Sequence, residues 1–441
     1  MLRFAPSPTG YLHAGNLRVA IINYLFAKKY DLDFFVRIDD TDTERSKKIY
    51  VDSILADLEW IGINSRKVIH QSDRQEKYKE VFEYLKKEEL IYPCFESSEE
   101  LSLMRKILLK AGKPPIYNRD SLKLSQVEID KFIQSGKRPH WRLKLDQNPI
   151  SWKDMVHGTI TFKDLSISDP VVFRSDEMPL FTITSVVDDC EFNVTHIFRG
   201  DDHITNTAAQ IKLFSYLGSK APQFGHFPLL KSKSGAGLSK RDNSFSIKEF
   251  TKDKIFPTVI INYLCKIGSS QNYENIDDMK AMIGSFDLSN FSKSSVIFDY
   301  QNLKRINSKY LKTIPIDELK KLGINNINEK FWNIIKENTD TIEDIDDWHD
   351  IIYNKQKVLK KIKIGSKIKK DLEKYLPKKI DTNLWELWVK TILGKNLIKP
   401  KELFVNIRLI LTGKNYGPSM THLLTLFDRE EILWRIENNC E

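Results

Sequence analysis

Residues 2–39 constrain this chain more than any other stretch. They read as strand, loop, helix, strand: LRFA, then PSPTGYLH, then an amphipathic AGNLRVAIINYLFAKKY, then the β-branched and aromatic run DFFVRID. Two strands joined by one crossover helix form a parallel βαβ unit. The loop between strand and helix then lies at the carboxyl edge of the sheet, where open α/β folds bind nucleotides.

The rest of the chain is organised around that unit. Alternating helix and strand patterns continue to about residue 90, so 1–90 reads as the first half of a Rossmann-type domain. Across 91–175 helices give way to short strands such as HWRLKL and GTITF, an α+β insertion. In 176–235 the runs PLFTITSVVDD and NVTHIFRG read as strands that complete the sheet, followed by a helix at NTAAQIKLFSYLG. A loop and connecting region spans 236–300, and 301–441 shows helical periodicity throughout, an all-α end.

Composition narrows the function classes. Lys and Arg total 69 against 60 Asp and Glu, a formal charge of +9 that suits a polyanionic partner or simply keeps the protein dissolved. Lys355, Lys357, Lys360, Lys361, Lys363, Lys367, Lys369 and Lys370 crowd one stretch, either tracking a phosphate backbone or forming a solvated helix face. No apolar run approaches the ~20 residues of a membrane span, and the amino terminus has no basic region followed by an apolar one, so a cytoplasmic protein without a membrane partner is expected. Cys94, Cys190, Cys265 and Cys440 lack paired spacing, which points to reduced, structural thiols.

Two loops carry the chemistry. Ser7 to Asn16 leads into the first helix, whose exposed N–H groups favour phosphate oxygens. Gly10 and Gly15 let backbone approach a nucleotide, while His13 and Asn16 can donate to phosphate or ribose. His13 could equally be a helix cap. The second loop, Gly237-Leu238-Ser239-Lys240-Arg241, follows a Gly- and Ser-rich stretch and concentrates positive charge. An ammonium there can meet charge that develops on a leaving pyrophosphate.

Together the loops resemble the HIGH and KMSKS signatures of class I aminoacyl-tRNA synthetases, and their surroundings resemble the bacterial glutamyl-tRNA synthetases nearly end to end. Arg3-Phe4-Ala5-Pro6-Ser7-Pro8-Thr9-Gly10 looks like that family's opening and Arg37-Ile38-Asp39-Asp40-Thr41-Asp42 like its RIEDTD. Val187-Asp188-Asp189, Ile197 to His203, Phe227-Pro228-Leu229-Leu230, Asn262-Tyr263-Leu264 and Leu411-Thr412-Gly413 with Gly417-Pro418 follow in the expected order. The resemblance implies a HIGH/KMSKS catalytic domain split by an acceptor-binding insertion, a KMSKS loop and stem-contact region over 236–300, and a helical anticodon-binding domain from residue 301. It implies catalysis by His13 and Lys240. ATP would be bound by Gly10, His13, Gly15, Asn16, Leu238, Ser239, Lys240 and Arg241, with Mg²⁺. Glutamate would be held by Arg3, Ala5, Ser7, Asp39, Phe181, Ser185 and Arg199. The partners would be tRNA for glutamate, or also tRNA for glutamine, and the family default is a monomer.

The sequence departs from the family's pattern in three places. Asp39 replaces a customary Glu and Phe181 a customary Tyr, shortening one reach and removing one hydroxyl. Arg3 and Asp39 could alternatively pair with each other, and Phe181 be core. Cys94-Phe95-Glu96 stands where some relatives carry a zinc-binding Cys-x-Cys, so no structural zinc is expected and Cys94 reads as a small core residue. The alternatives weigh less. A glutaminyl relative would end in β-barrels, and a truncated relative that modifies a tRNA base would lack the helical end. A non-catalytic tRNA-binding paralogue would have lost the His13 or Lys240 elements.

Overall fold

The computed structural model describes residues 1–163, 166–235, 245–354 and 361–441. They form two compact units, Met1–Lys252 with Phe256–Tyr300, and Asp253–Ile255 with Gln301–Glu441.

The first unit begins as the sequence suggests. Strand β1 (Leu2–Phe4), helix α1 (Ala14–Lys29) and strand β2 (Phe34–Ile38) form the βαβ unit, with β1 and β2 parallel. Helix α2 (Lys48–Trp60) leads to β3 (Val68–His70), which pairs parallel to β2 on its far side. Helix α1 is buried on more sides than an amphipathic pattern suggests. It buries Ala14, Leu17, Arg18, Ala20, Ile21, Ile22, Asn23, Leu25, Phe26 and Ala27, residues on nearly every side. Such burial requires its polar members to be paired, and Asn23 Nδ2 donates to Phe198 O at 3.1 Å.

Helix α3 (Gln75–Lys87) precedes a region of antiparallel pairing. Strand β4 (Ile91–Cys94) is followed by helices α4 (Ser98–Lys110) and α5 (Gln126–Gln134), each opened by a Ser–Glu capping box. Strand β5 (His140–Leu143) pairs with β4 and with β8 (Val171–Phe173), while β6 (Ile150–Asp154) and β7 (Gly158–Phe162) form a separate hairpin.

The segment read as the strand PLFTITSVVDD is instead helix α6 (Phe181–Glu191). Its β-branched residues favour a strand locally, but tertiary packing overrides that preference. Coiled as a helix, Ile183, Val186 and Val187 enter the hydrophobic core, while Ser185, Asp188 and Asp189 share another face and meet buried arginines. The sheet is continued by β9 (His196–Gly200) alone, then helix α7 (Ile204–Tyr216) and β10 (Gln223–Phe227), parallel to β9. Thr195 N–H donates to Met1 O at 2.9 Å, which seats the start of β9 beside β1. The strands β1–β2–β3 and β9–β10 are two parallel sheets set side by side by that bond, so they line up as β3, β2, β1, β9, β10 with the order reversing between β1 and β9. The ends of those two strands open a crevice, the place where such sheets bind ligands.

Past β11 (Leu230–Lys231), this unit closes with helices α8 (Ile247–Lys252), α9 (Pro257–Lys266) and α10 (Met279–Ser285), and with β12 (Val296–Ile297) against β11. The second unit is helical among its described residues, apart from one isolated bridge between Ile362 and Cys440. Its core includes Trp348 and Trp388, both almost fully buried. Of the lysine run, Lys355, Lys357 and Lys360 lie outside the described residues. Lys361, Lys363, Lys367 and Lys370 are exposed, and Lys369 Nζ donates to Glu437 O at 2.9 Å.

Candidate active site

A cavity of about 480 Å³ opens at the β1/β9 crevice. From β1 and the following loop come Phe4, Ala5, Pro6, Ser7 and His13, and from α1 come Gly15, Asn16 and Arg18. Phe181, Arg199, Gly200, Asp202, His203 and the Phe227 to Leu230 segment complete the wall. Two sequence motifs far apart in the chain thus share one chamber.

His13 combines the two roles open to it in the sequence. It is the N-cap of α1, with Nδ1 accepting Gly15 N–H at 3.1 Å, and its ring also lines the cavity. Because Nδ1 accepts, the neutral ring carries its proton on Nε2. Gly15 also gives the His13 ring its room, since a Cβ there would sit 3.0 Å from His13 Cε1. Asn16 Oδ1 is buried with no hydrogen-bond partner among the described residues. Gly10 does not line the cavity.

Arg199, on β9, is one of two arginines among the described lining residues, with Arg18 of α1. It is 6 % exposed, and burial together with the neighbouring charge of Arg3 brings its pKa down to about 9, so it stays protonated at neutral pH. Its Nη2 donates to Thr207 Oγ1 at 2.5 Å and Gln210 Oε1 at 2.6 Å. No carboxylate pairs with it among the described residues, and Nη1 is buried without a partner. A buried, uncompensated guanidinium favours an anionic ligand. Phe181 packs against His203 with ring centroids 5.3 Å apart, and burial plus the charge of Arg199 lowers the His203 pKa to about 4, keeping it neutral.

Arg3, Asp39 and Ser185 do not line the chamber. They belong to a buried ionic cluster near it, and the pairing is not Arg3 with Asp39. Arg3 forks onto Asp189 at 2.9 and 3.2 Å. Asp39 is held by Arg37 through Nε at 2.7 Å and Nη2 at 3.1 Å. Arg37 also reaches Asp189 Oδ1 at 3.1 Å and Ser185 Oγ at 3.0 Å. Asp188 receives Arg74 Nε at 2.7 Å, Gln71 Nε2 at 2.7 Å and Tyr78 OH at 3.0 Å. Burial pushes the Asp39 carboxyl up to about 6 despite Arg37 beside it, while the carboxylates of Asp39 and Asp189 overcome burial to hold Arg37 charged. The sequence contained a signal for Arg37: in a strand, residues 37 and 39 point to the same side.

Arg18 was also missed. It is buried, donates to Pro228 O and Ile267 O at 3.0 Å each, and is lowered to about 10 by burial. Leu238, Ser239, Lys240 and Arg241 lie outside the described residues.

In the antiparallel region, Cys94 is fully buried and burial pushes its thiol up to about 11. Cys94, Glu96 and His140 place ligand atoms within 4.8 Å of one another. Glu96 Oε1 already accepts Tyr117 OH at 2.6 Å and Ser121 Oγ at 2.9 Å. His140 was not singled out from sequence. No helix among the described residues is long and apolar enough to cross a membrane.

Comparison with known proteins agrees with this architecture. Residues 1–305 match the family described as class I tRNA synthetases (E and Q), catalytic domain, and residues 298–440 match an anticodon binding domain. A glutamate–tRNA ligase of Rickettsia prowazekii is 40% identical over 98% of both chains. One from Maricaulis maris is 41% identical over 99% of this chain and 98% of its own. A crystal structure of a glutamate tRNA ligase from Elizabethkingia meningosepticum in complex with its amino acid aligns with TM-score 0.80 at 26% identity, covering 99% of this chain and 98% of that one.

Proposed function

The chain belongs to the class I aminoacyl-tRNA synthetases of the glutamate and glutamine branch, and from that premise we infer that it joins glutamate to tRNA for glutamate at the cost of ATP. The observation that carries the substrate is Arg199, a charged guanidinium buried beside the His13 loop with no carboxylate paired to it among the described residues.

In the reaction proposed, a glutamate carboxylate pairs with Arg199, and Ala5, Ser7 and Phe181 shape the amino-acid end of the chamber. ATP lies along the first turn of α1, where His13 and Asn16 meet phosphate or ribose oxygens and helix N–H groups add to the attraction. The α-carboxylate attacks the α-phosphorus and pyrophosphate leaves; a ribose hydroxyl of the terminal adenosine then attacks the carbonyl carbon and AMP leaves. Lys240, with Leu238, Ser239 and Arg241, balances charge on the departing pyrophosphate. Asp202, the one carboxylate among the described lining residues, would be the side chain to hold Mg²⁺, which would offset phosphate charge. Arg3, Asp39 and Ser185 act by fixing the wall of the pocket. Residues 91–175 take the acceptor end and 301–441 the anticodon. The protein works as a cytoplasmic monomer without structural zinc, since Cys94 is the one thiol that residues 91–175 supply and a single thiol does not build a stable tetrahedral site.

The test is aminoacylation with labelled glutamate on separately purified tRNAs for glutamate and for glutamine, with Lys240→Ala as control. Charging of the glutamate tRNA alone marks a discriminating ligase, and charging of both marks one that needs a later amidation step. Charging of neither, or an unchanged Lys240→Ala variant, overturns the reading.

A further inference from the structure

Arg199 is held in place by a buried relay that starts outside the parallel sheet. Asp154 ends β6, in the hairpin. Its Oδ1 accepts the N–H groups of Val156 and His157 at 2.9 Å each and of His226 at 3.2 Å. Its Oδ2 lies 2.5 Å from His226 Nδ1. Burial alone would raise the Asp154 carboxyl, but these hydrogen bonds outweigh it and bring the pKa down to about 2. An ionised Asp154 keeps the imidazole proton on Nδ1 and leaves Nε2 as an acceptor.

Thr207 Oγ1 has two acceptors within reach, His226 Nε2 at 2.7 Å and His203 O at 3.1 Å; with the hydroxyl hydrogen on the nearer one, the imidazole, its lone pairs turn to Arg199 Nη2 at 2.5 Å. Arg199 Nε itself lies 3.4 Å from His226 Nε2. A protonated imidazole would put like charge against the guanidinium. Burial and the charge of Arg199 oppose that state, with His157 adding to them and Asp154 acting against them, and the His226 pKa is lowered. Asp154, Thr207, Gln210 and His226 are all buried. The hydrogen-bond partners of Arg199 among the described residues are therefore all neutral. The guanidinium is fixed through one edge and not discharged, and Nη1 is left without a partner among the described residues.

We propose that Asp154, His226 and Thr207 are positioning residues for the amino-acid step, orienting Arg199 so that Nη1 pairs with the substrate carboxylate. The inference rests on the reading of Arg199 as the carboxylate partner of glutamate. It makes the β6–β7 hairpin part of the amino-acid pocket, since Asp154 stands on the hairpin and Arg199 on the sheet.

Thr207→Val keeps the side-chain shape and removes the hydroxyl, and Thr207→Ser restores it. Glutamate and ATP KM values are measured by pyrophosphate exchange on the full chain with tRNA present, with Arg199→Lys alongside. Thr207→Val is expected to raise the glutamate KM roughly 10- to 100-fold, as loss of a charge-assisted hydrogen bond would. The ATP KM should stay within about twofold, and Thr207→Ser should return the glutamate KM to within about threefold. If Arg199→Lys raises the glutamate KM and Thr207→Val does not, the relay is refuted while the pocket stands. If Arg199→Lys leaves it unchanged, the carboxylate reading fails and the relay with it. Should Thr207→Val not fold, Asp154→Asn is read by the same criterion. A parallel rise in both KM values would mean general packing damage and overturn the proposal.

Discussion

Replacing Arg37 by Met should cost the first unit several kcal/mol, and the loss should depend on pH in a defined direction. Arg37 is fully buried and makes a two-point contact with Asp39, a further contact with Asp189 and two bonds to Ser185, including one to its carbonyl at 3.3 Å. A close pair at an effective dielectric of about 20 is worth roughly 4 kcal/mol before desolvation is subtracted. Removing one member of a buried pair, so that a carboxylate is left unmatched, costs about 3–5 kcal/mol. In a unit of roughly 300 residues that lowers the unfolding midpoint by about 5–8 °C. The Asp39 carboxyl, already raised to about 6, should rise further once Arg37 is gone. A folded pKa above the unfolded one stabilises below the unfolded value and loses that contribution as pH rises through the folded value. The variant's deficit should therefore be smaller at about pH 5 than at about pH 8, and adding Asp39→Asn should recover about 1–2 kcal/mol at the higher pH. Denaturant unfolding of parent, single and double variants gives the cycle. A deficit under about 1 kcal/mol, or one independent of pH, would refute the reasoning.

Three further outcomes are expected. Phe181→Tyr adds a hydroxyl to the cavity wall and should lower the glutamate KM about fivefold, one net hydrogen bond, with the ATP KM unchanged in pyrophosphate exchange. Gly417→Ala forces a side chain at φ +138° to within 2.4 Å of Trp348 Cη2, and should destabilise the helical unit by roughly 2–4 kcal/mol, read as an earlier unfolding transition. Metal analysis of the purified chain should find no bound zinc; one equivalent per chain that disappears in Cys94→Ser would mean that Cys94, Glu96 and His140 do bind it.

Neighbours along the chain are enough to specify part of this architecture. The βαβ opening, the His13 loop at its carboxyl edge, the strands HWRLKL and GTITF and the helical end all follow from local periodicity and turn residues, and the structure has them in place. The ordered motifs identified the family, because each is a short contiguous signature. Tertiary structure decided matters that turn on distant partners. Phe181–Glu191 has the composition of a strand and is a helix because its two faces meet a core and an arginine cluster built from other segments. Arg3 bonds a residue 186 positions away, not Asp39, and Arg37 occupies the place beside Asp39. Which residues face the chamber and which stand behind it could not be read from spacing, since Arg3, Ala5 and Ser7 are close in sequence and only the latter two line it. The Arg199 relay draws on Asp154, Thr207 and His226 from three elements. Burial makes such pairings obligatory, because a charge withdrawn from water needs a partner, and the fold alone settles which partner is within reach.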